Sequence, residues 1–265
     1  MSYILIKGQF RPDLGTPDGD SVRFEADDLA LFDSLEGAPP KLGQGALSGT
    51  VQLRYEGIDT VEKEALQSVA DSSLQANLDL LQENNSTARG YILSQRTDTT
   101  NSHRPISFVF SGNTSKADGA KIFLDKDLLI ESVNYKMVSQ GWAYVMFYRT
   151  LYAELRSPLQ AAYLDAQKRG DGIHALDASL KGVQLNHTAD LKTINPIFPK
   201  LWRRLKDYLP RNQGLDGFPE YLERKKDKLI TFSDQRYITF DNAVEVKGNT
   251  IKLLYEPYDM LFEQS

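Results

Sequence analysis

"VQLRYEGIDTVE", residues 51 to 62, is the stretch on which the reading of this chain turns. Val51, Leu53 and Tyr55 alternate with Gln52, Arg54 and Glu56, the period of a half-buried strand. Gly57 marks a bend or bulge, and Asp59, Thr60 and Glu62 follow it closely. One short segment thus predicts a strand with an arginine on its polar side, and a turn that carries two carboxylates.

Working outward, Tyr3 to Phe10 reads as a short strand, and Val22 to Glu25 as another entered through the Asp18-Gly19-Asp20 turn. Asp27 to Gly49, with Ala38-Pro39-Pro40 and Gly43, Gly45 and Gly49, reads as a loop. Downstream, Val61 to Leu81 carries Leu66, Val69, Leu74, Leu78 and Leu81 in a helical pattern that ends before "ENNS". "GYILSQ" and "ISFVFSG", joined by "RTDTTNSHR", predict an antiparallel pair. A second helix is expected over Leu128 to Ser139, stopped at Gln140-Gly141. A third is expected to start at Ser157-Pro158, placing Leu159, Ala162, Tyr163 and Ala166 on one face before Gly170. Strands with helices interleaved irregularly make the class α+β. From about residue 180 the pattern changes to two short helical pieces between prolines and glycines, then two or three strands with a Gly248-Asn249 hairpin.

Composition narrows the classes. The 265 residues are 41% hydrophobic and 25% charged, as in a globular chain with an ordinary core. The absence of cysteine excludes disulfides, thiol nucleophiles and thiolate metal sites. The longest apolar run, Gly141 to Tyr148, falls well short of the about 20 residues that a membrane-spanning helix needs, so no membrane partner is expected. The apolar patch near the start is too short for a signal-peptide core, and the expected location is cytoplasmic. The net charge of −5 is unevenly spread. Residues 1 to 100 hold sixteen acids and eight bases, whereas Ile197 to Ile230 hold nine bases and five acids, an acidic front and a basic rear.

The chemistry-bearing residues come in a fixed order: Asp20 at a strand start, Arg54 on a second strand, Asp59, Thr60 and Glu62 after it, and Arg104 opening a later strand. Hard oxygen donors from Asp20, Asp59 and the Thr60 carbonyl suit Ca²⁺ or another divalent cation. Glu62 is placed to direct a water, and guanidiniums at Arg54 and Arg104 can fork onto a phosphate. The plainer alternatives are that Arg54 pairs with Glu56 at a sheet edge and that Arg104 is a solvated loop residue. His103 is either a proton shuttle or an exposed loop histidine. In "PKLWRRLKDYLP", Trp202 and Tyr208 either stack on bases or dock an amphipathic helix.

Asp18-Gly19-Asp20-Ser21-Val22, "RYEGIDTVE", "HRPISFVF", "VNYKMVSQGWAYV" and "LQAAYLDAQKRGDGIHALD" together resemble the staphylococcal nuclease-like (thermonuclease) family over residues 15 to about 179. The resemblance implies an OB-type five-stranded β-barrel with packed helices in residues 1–179, plus an α/β extension over 180–265. It implies Asp20, Asp59 and the Thr60 carbonyl as metal ligands, Glu62 as the water-directing carboxylate, and Arg54 and Arg104 as phosphate clamps. The implied activity is Ca²⁺-dependent endonucleolytic hydrolysis of DNA or RNA, or, if catalysis is lost, nucleic-acid or protein binding. The loop over 27–49 and the C-terminal region are the expected protein-contact surfaces. This chain departs from the family pattern at Val61, where proline is usual, at Asn101 to Pro105 around the second arginine, and at His174, where tryptophan is common.

Overall fold

A computed structural model describes residues 2–81, 88–212 and 214–263. The "ENNS" stretch expected to stop the first helix lies outside the described residues. The strands in the first part are β1 (Ser2–Phe10), β2 (Arg23–Ala26), β3 (Val51–Gln52), β4 (Arg54–Tyr55), β5 (Ile58–Asp59), β6 (Arg89–Thr97), β7 (Pro105–Ser111), β8 (Lys121–Phe123), β9 (Tyr144–Val145) and β10 (Phe147–Tyr148). They are followed by β11 (Val183–Gln184), β12 (Lys228–Thr231), β13 (Tyr237–Thr239), β14 (Val244–Lys247), β15 (Thr250–Leu253) and β16 (Met260–Phe262). The helices are α1 (Gln67–Leu81), α2 (Lys126–Glu131), α3 (Val133–Ser139), α4 (Ala153–Arg169), α5 (Pro199–Tyr208) and α6 (Phe218–Lys225).

The main sheet runs β3-β2-β1-β6-β7-β4, with β8 also on β1. Its two end strands are separated in the chain by Leu53 alone, so the sheet curls until it nearly closes into a barrel. β1 pairs antiparallel with β6 from Ile4↔Ser94 to Gln9↔Arg89, and β6 pairs antiparallel with β7 as the sequence pattern predicts. β4 joins β7 in parallel, Arg54 opposite Ile106. Asn134 of α3 fastens this joint: its Oδ1 accepts from Val109 N at 2.9 Å, and its Nδ2 donates to the carbonyls of Glu56 and Ser107 at 2.9 and 3.0 Å.

The segment expected as one strand over Val51 to Tyr55 is two, because the chain leaves β2 at Gln52 and joins β7 at Arg54. Gly57, at φ 78°, makes the predicted bend in a conformation that favours glycine. α1 begins at Gln67 instead of Val61, because the β5–β9 ladder ends at Asp59 and a turn closed by Ala65 N on Glu62 O intervenes. That late start leaves Thr60, Val61 and Glu62 in irregular backbone lining the site. The helix expected over Leu128 to Ser139 is broken at Ser132, whose hydroxyl donates to Leu129 O and accepts from Tyr135 N, closing α2 and capping α3. α4 starts at Ala153, four residues before the expected hydroxyl cap, and takes Pro158 into its interior. Its buried face is the expected one, and Gly170 caps it at φ 72°.

In the C-terminal region the two helices and the Gly248-Asn249 hairpin form as expected, but the stretch up to Pro257 read as two or three strands holds four, β12 to β15, and β16 follows it. The sequence pattern underrates them because β13 and β16 are only three residues long. β16 lies parallel to β10, and Phe262 stacks near Phe198 and Tyr148. One apolar core therefore runs through both expected parts of the chain.

His174 is buried edge-on to Tyr163, ring centroids 4.7 Å apart, and neither ring nitrogen has a hydrogen-bond partner among the described residues. Burial lowers its pKa below the ordinary 6.5, against the pull of Asp177 and Asp171. The unfolded chain then takes up the proton first, so the stability due to neutral His174 is whole above about pH 6.5 and is lost as pH falls toward the lowered value. His174→Phe is expected to flatten the acid-side slope of melting temperature against pH, measured by thermal denaturation from about pH 8 to 5.

Candidate functional site

The Asp18-Gly19-Asp20 turn, the end of β5, the Asp98–Arg104 connection and α5 meet around a cleft of about 500 Å³. All six site residues singled out from sequence, Asp20, Arg54, Asp59, Thr60, Glu62 and Arg104, line it. Asp18 makes the turn, its backbone pairing with Ser21 and its Oδ1 accepting from Asp20 N. Gly19 lies so close to Ser73 and Thr60 that a Cβ there would clash with both, which explains why the turn packs against α1 and the Thr60 loop. Burial raises Asp20 well above the usual carboxylate range, helped by the neighbouring Asp18 and Asp59.

Arg54 does not pair with Glu56. Glu56 is held by Arg96 at 2.7 Å, and Arg54 instead reaches the Tyr148 hydroxyl at 3.2 Å and lies over its ring. Arg104 is not a free loop arginine either. Its Nε donates to Asp98 Oδ2 at 2.8 Å and its backbone N to Asp98 Oδ1 at 3.0 Å. Asp98 also stands 3.9 Å from Arg54 and accepts from Thr100. Burial alone would raise the Asp98 pKa, but hydrogen bonds from Thr100 and Arg104 hold it below the usual range. One buried aspartate thus aims both arginines at the cleft. Its Asp-Thr-Thr context was the only local signal for it, a side chain turning back on its own loop. His103 has φ 47°, a turn residue whose Nδ1 lies 3.5 Å from Asp98 O, and it is not among the cleft-lining residues.

Sequence reasoning missed Arg203 as well as Asp98. Nη1 and Nη2 of Arg203 fork onto Oδ1 and Oδ2 of Asp59 at 2.9 and 2.6 Å, and Nη1 also holds Glu62 Oε1 at 2.6 Å. Burial raises the Glu62 pKa, offset in part by Arg203. For Arg203, burial disfavours the charge, yet Asp59 and Glu62 keep it firmly protonated.

α5 presents this guanidinium through its own periodicity. Leu201, Trp202, Leu205 and Tyr208 form a buried stripe. Lys200 and Arg204, four residues apart on one flank, converge on Asp227; Arg203 and Lys206, three apart on the other, reach Glu62 and Glu64. Trp202 and Tyr208 are docked in the core, so neither is a base-stacking platform. No residue of the 27–49 loop lines the cleft among the described residues; the loop is tied to β6 and the Asp98–Arg104 turn through Glu36 and Lys41.

This donor set does not fit a divalent cation as it stands. Both oxygens of Asp59 are engaged by Arg203, and among the described residues no group of three or more acidic or histidine side chains is arranged to hold a metal ion. What the arrangement offers is a cleft lined by six cationic and five carboxylate side chains. No helix among the described residues is long and apolar enough to cross a membrane. Neither a family model nor a curated protein matches the chain.

Proposed function

We propose that this chain binds the phosphodiester backbone of single-stranded nucleic acid in the cleft, as a staphylococcal nuclease-like OB barrel whose hydrolytic carboxylates are held silent. The single observation that carries the reading is the fork of Arg203 on Asp59 together with its bond to Glu62. Glu62 Oε1 and both Asp59 oxygens already accept from the Arg203 guanidinium, so a water or ion drawn to either carboxylate competes with a charge-assisted bond in place. Arg54 and Arg104, both held by buried or aromatic partners and both facing the cleft, supply planar donors suited to phosphate oxygens.

A second reading, endonucleolytic hydrolysis, is favoured by the convergence of Arg54, Asp59, Glu62 and Arg104 on one cleft. Fluorescence anisotropy with labelled single-stranded DNA and RNA in EDTA, beside a digestion assay with Ca²⁺ or Mg²⁺, separates the two. Binding in EDTA without cleavage supports the first reading. Cleavage abolished by Glu62→Gln supports the second. No binding to either strand overturns the first.

Arg54→Ala is expected to weaken oligonucleotide binding about tenfold or more, since hydrogen bonds to charged groups contribute about 1.5–3 kcal/mol each. The slope of log affinity against log salt should become shallower by about 0.7 for each phosphate contact removed. Arg104→Ala should behave likewise, and Lys121→Ala, on the exposed β8 strand, should change neither.

A further inference from the structure

Arg203 stands where a cation bound by Asp59 would have to stand. The two N–H groups that grip Asp59 lie on its two oxygens at 2.9 and 2.6 Å, and a divalent ion chelated by both oxygens would face the same carboxylate edge. Guanidinium and an ion so chelated therefore exclude each other on space and repel each other on charge.

The arginine is also firmly delivered. α5 is anchored by its buried apolar stripe, the Trp202 indole N–H donates to Leu191 O at 3.1 Å, and the opposite flank is fixed by Lys200 and Arg204 on Asp227. Withdrawing the guanidinium by moving the helix would open the core. Its local concentration at Asp59 is set by the fold, and a free ion competes against an intramolecular partner.

We propose that Arg203 is the resident counter-cation of this cleft: it substitutes for a divalent ion at Asp59, so that the anionic ligand is bound metal-free. The ligand half of this statement rests on the phosphodiester reading, whereas the substitution half is read by calcium alone.

The test is calcium titration of the full chain by calorimetry, with thermal melting in parallel. Wild type should give no saturable calcium binding and no calcium-dependent rise in melting temperature. Arg203→Gln should bind one calcium at least tenfold more tightly than wild type and melt higher when calcium is added. Arg203→Gln combined with Asp59→Asn should lose both effects. Should the glutamine variant fail to fold, Arg203→Lys keeps a charge but cannot fork, and it should show a smaller rise of the same sign. Equal calcium affinity in wild type and variant overturns the proposal, as does absence of binding in both variants. Calcium binding that wild type acquires only with a bound oligonucleotide also overturns it, because Arg203 would then be a movable latch. Failure of oligonucleotide binding in EDTA, with the calcium results as expected, removes the phosphodiester reading and leaves the substitution standing.

Discussion

Asp227→Ala is expected to lower the stability of the fold by about 3–5 kcal/mol, the cost of breaking a buried ion pair from one side. Asp227 is buried, and its two oxygens take Lys200 Nζ at 3.1 Å and Arg204 Nε and Nη2 at 2.8 and 2.6 Å. Lys200 is itself 9% exposed, so deleting the carboxylate strands one cation in the interior and leaves another half-buried without its acceptor. The phenyl ring of Phe262, 4.8 Å from Lys200 Nζ, offsets only part of that loss. Asp227→Asn keeps an acceptor and removes the charge, so it should fall between wild type and alanine. Lys206→Ala is the contrasting case: its pair with Glu64 is about half exposed on both sides, and its loss should cost under about 1 kcal/mol. Urea denaturation of the three variants checks the order. An Asp227→Ala loss as small as that of Lys206→Ala would mean that Lys200 reaches water, and that α5 is held by its apolar stripe alone.

That contrast bears on the site, because α5 is what carries Arg203 to Asp59. The sequence pattern left "PKLWRRLKDYLP" as either a base-stacking segment or a docked amphipathic helix. It did not mark Arg203 over its neighbours, since the partner lies 144 residues away and is brought close only by tertiary packing. The barrel strands were legible for the opposite reason. Apolar, β-branched and aromatic runs such as those of β1, β6 and β7 are a local signal, and the pairing of β6 with β7 follows from their short connection. The closure at Leu53 was not legible, because it depends on a long-range partner, Ile106 opposite Arg54, whereas the break at Ser132 rests on local bonds to Leu129 and Tyr135 that the apolar pattern of Leu128 to Ser139 masked. The late start of α1 was hidden by Val61 and Leu66, apolar residues that extend the helical pattern across the turn closed by Ala65 N on Glu62 O.

The convergence of Arg54 and Arg104 depends most on Asn134, and Asn134→Ala is expected to damage both stability and the site. Three buried main-chain groups, Val109 N, Glu56 O and Ser107 O, would lose a partner at once, at about 1–3 kcal/mol for each one left unsatisfied. Ser107 O retains the amide of Glu56 at 2.9 Å, so the loss should sit nearer the cost of two groups than of three. The consequence is directional. β4 reaches β7 through only two residues, Arg54 and Tyr55, and without the Asn134 bridge the short parallel joint has little else to fix its register. Arg54 would then drift relative to Arg104, which Asp98 holds independently. Asn134→Ala should therefore weaken oligonucleotide binding at a temperature well below its lowered melting point, whereas Asp227→Ala, which leaves β4 and β7 untouched, should weaken it less. Amide hydrogen exchange gives the local readout: protection should fall first at Val109 in the Asn134 variant and in residues 199–208 in the Asp227 variant. Equal protection at Val109 in both would show that the β4–β7 joint stands without the asparagine.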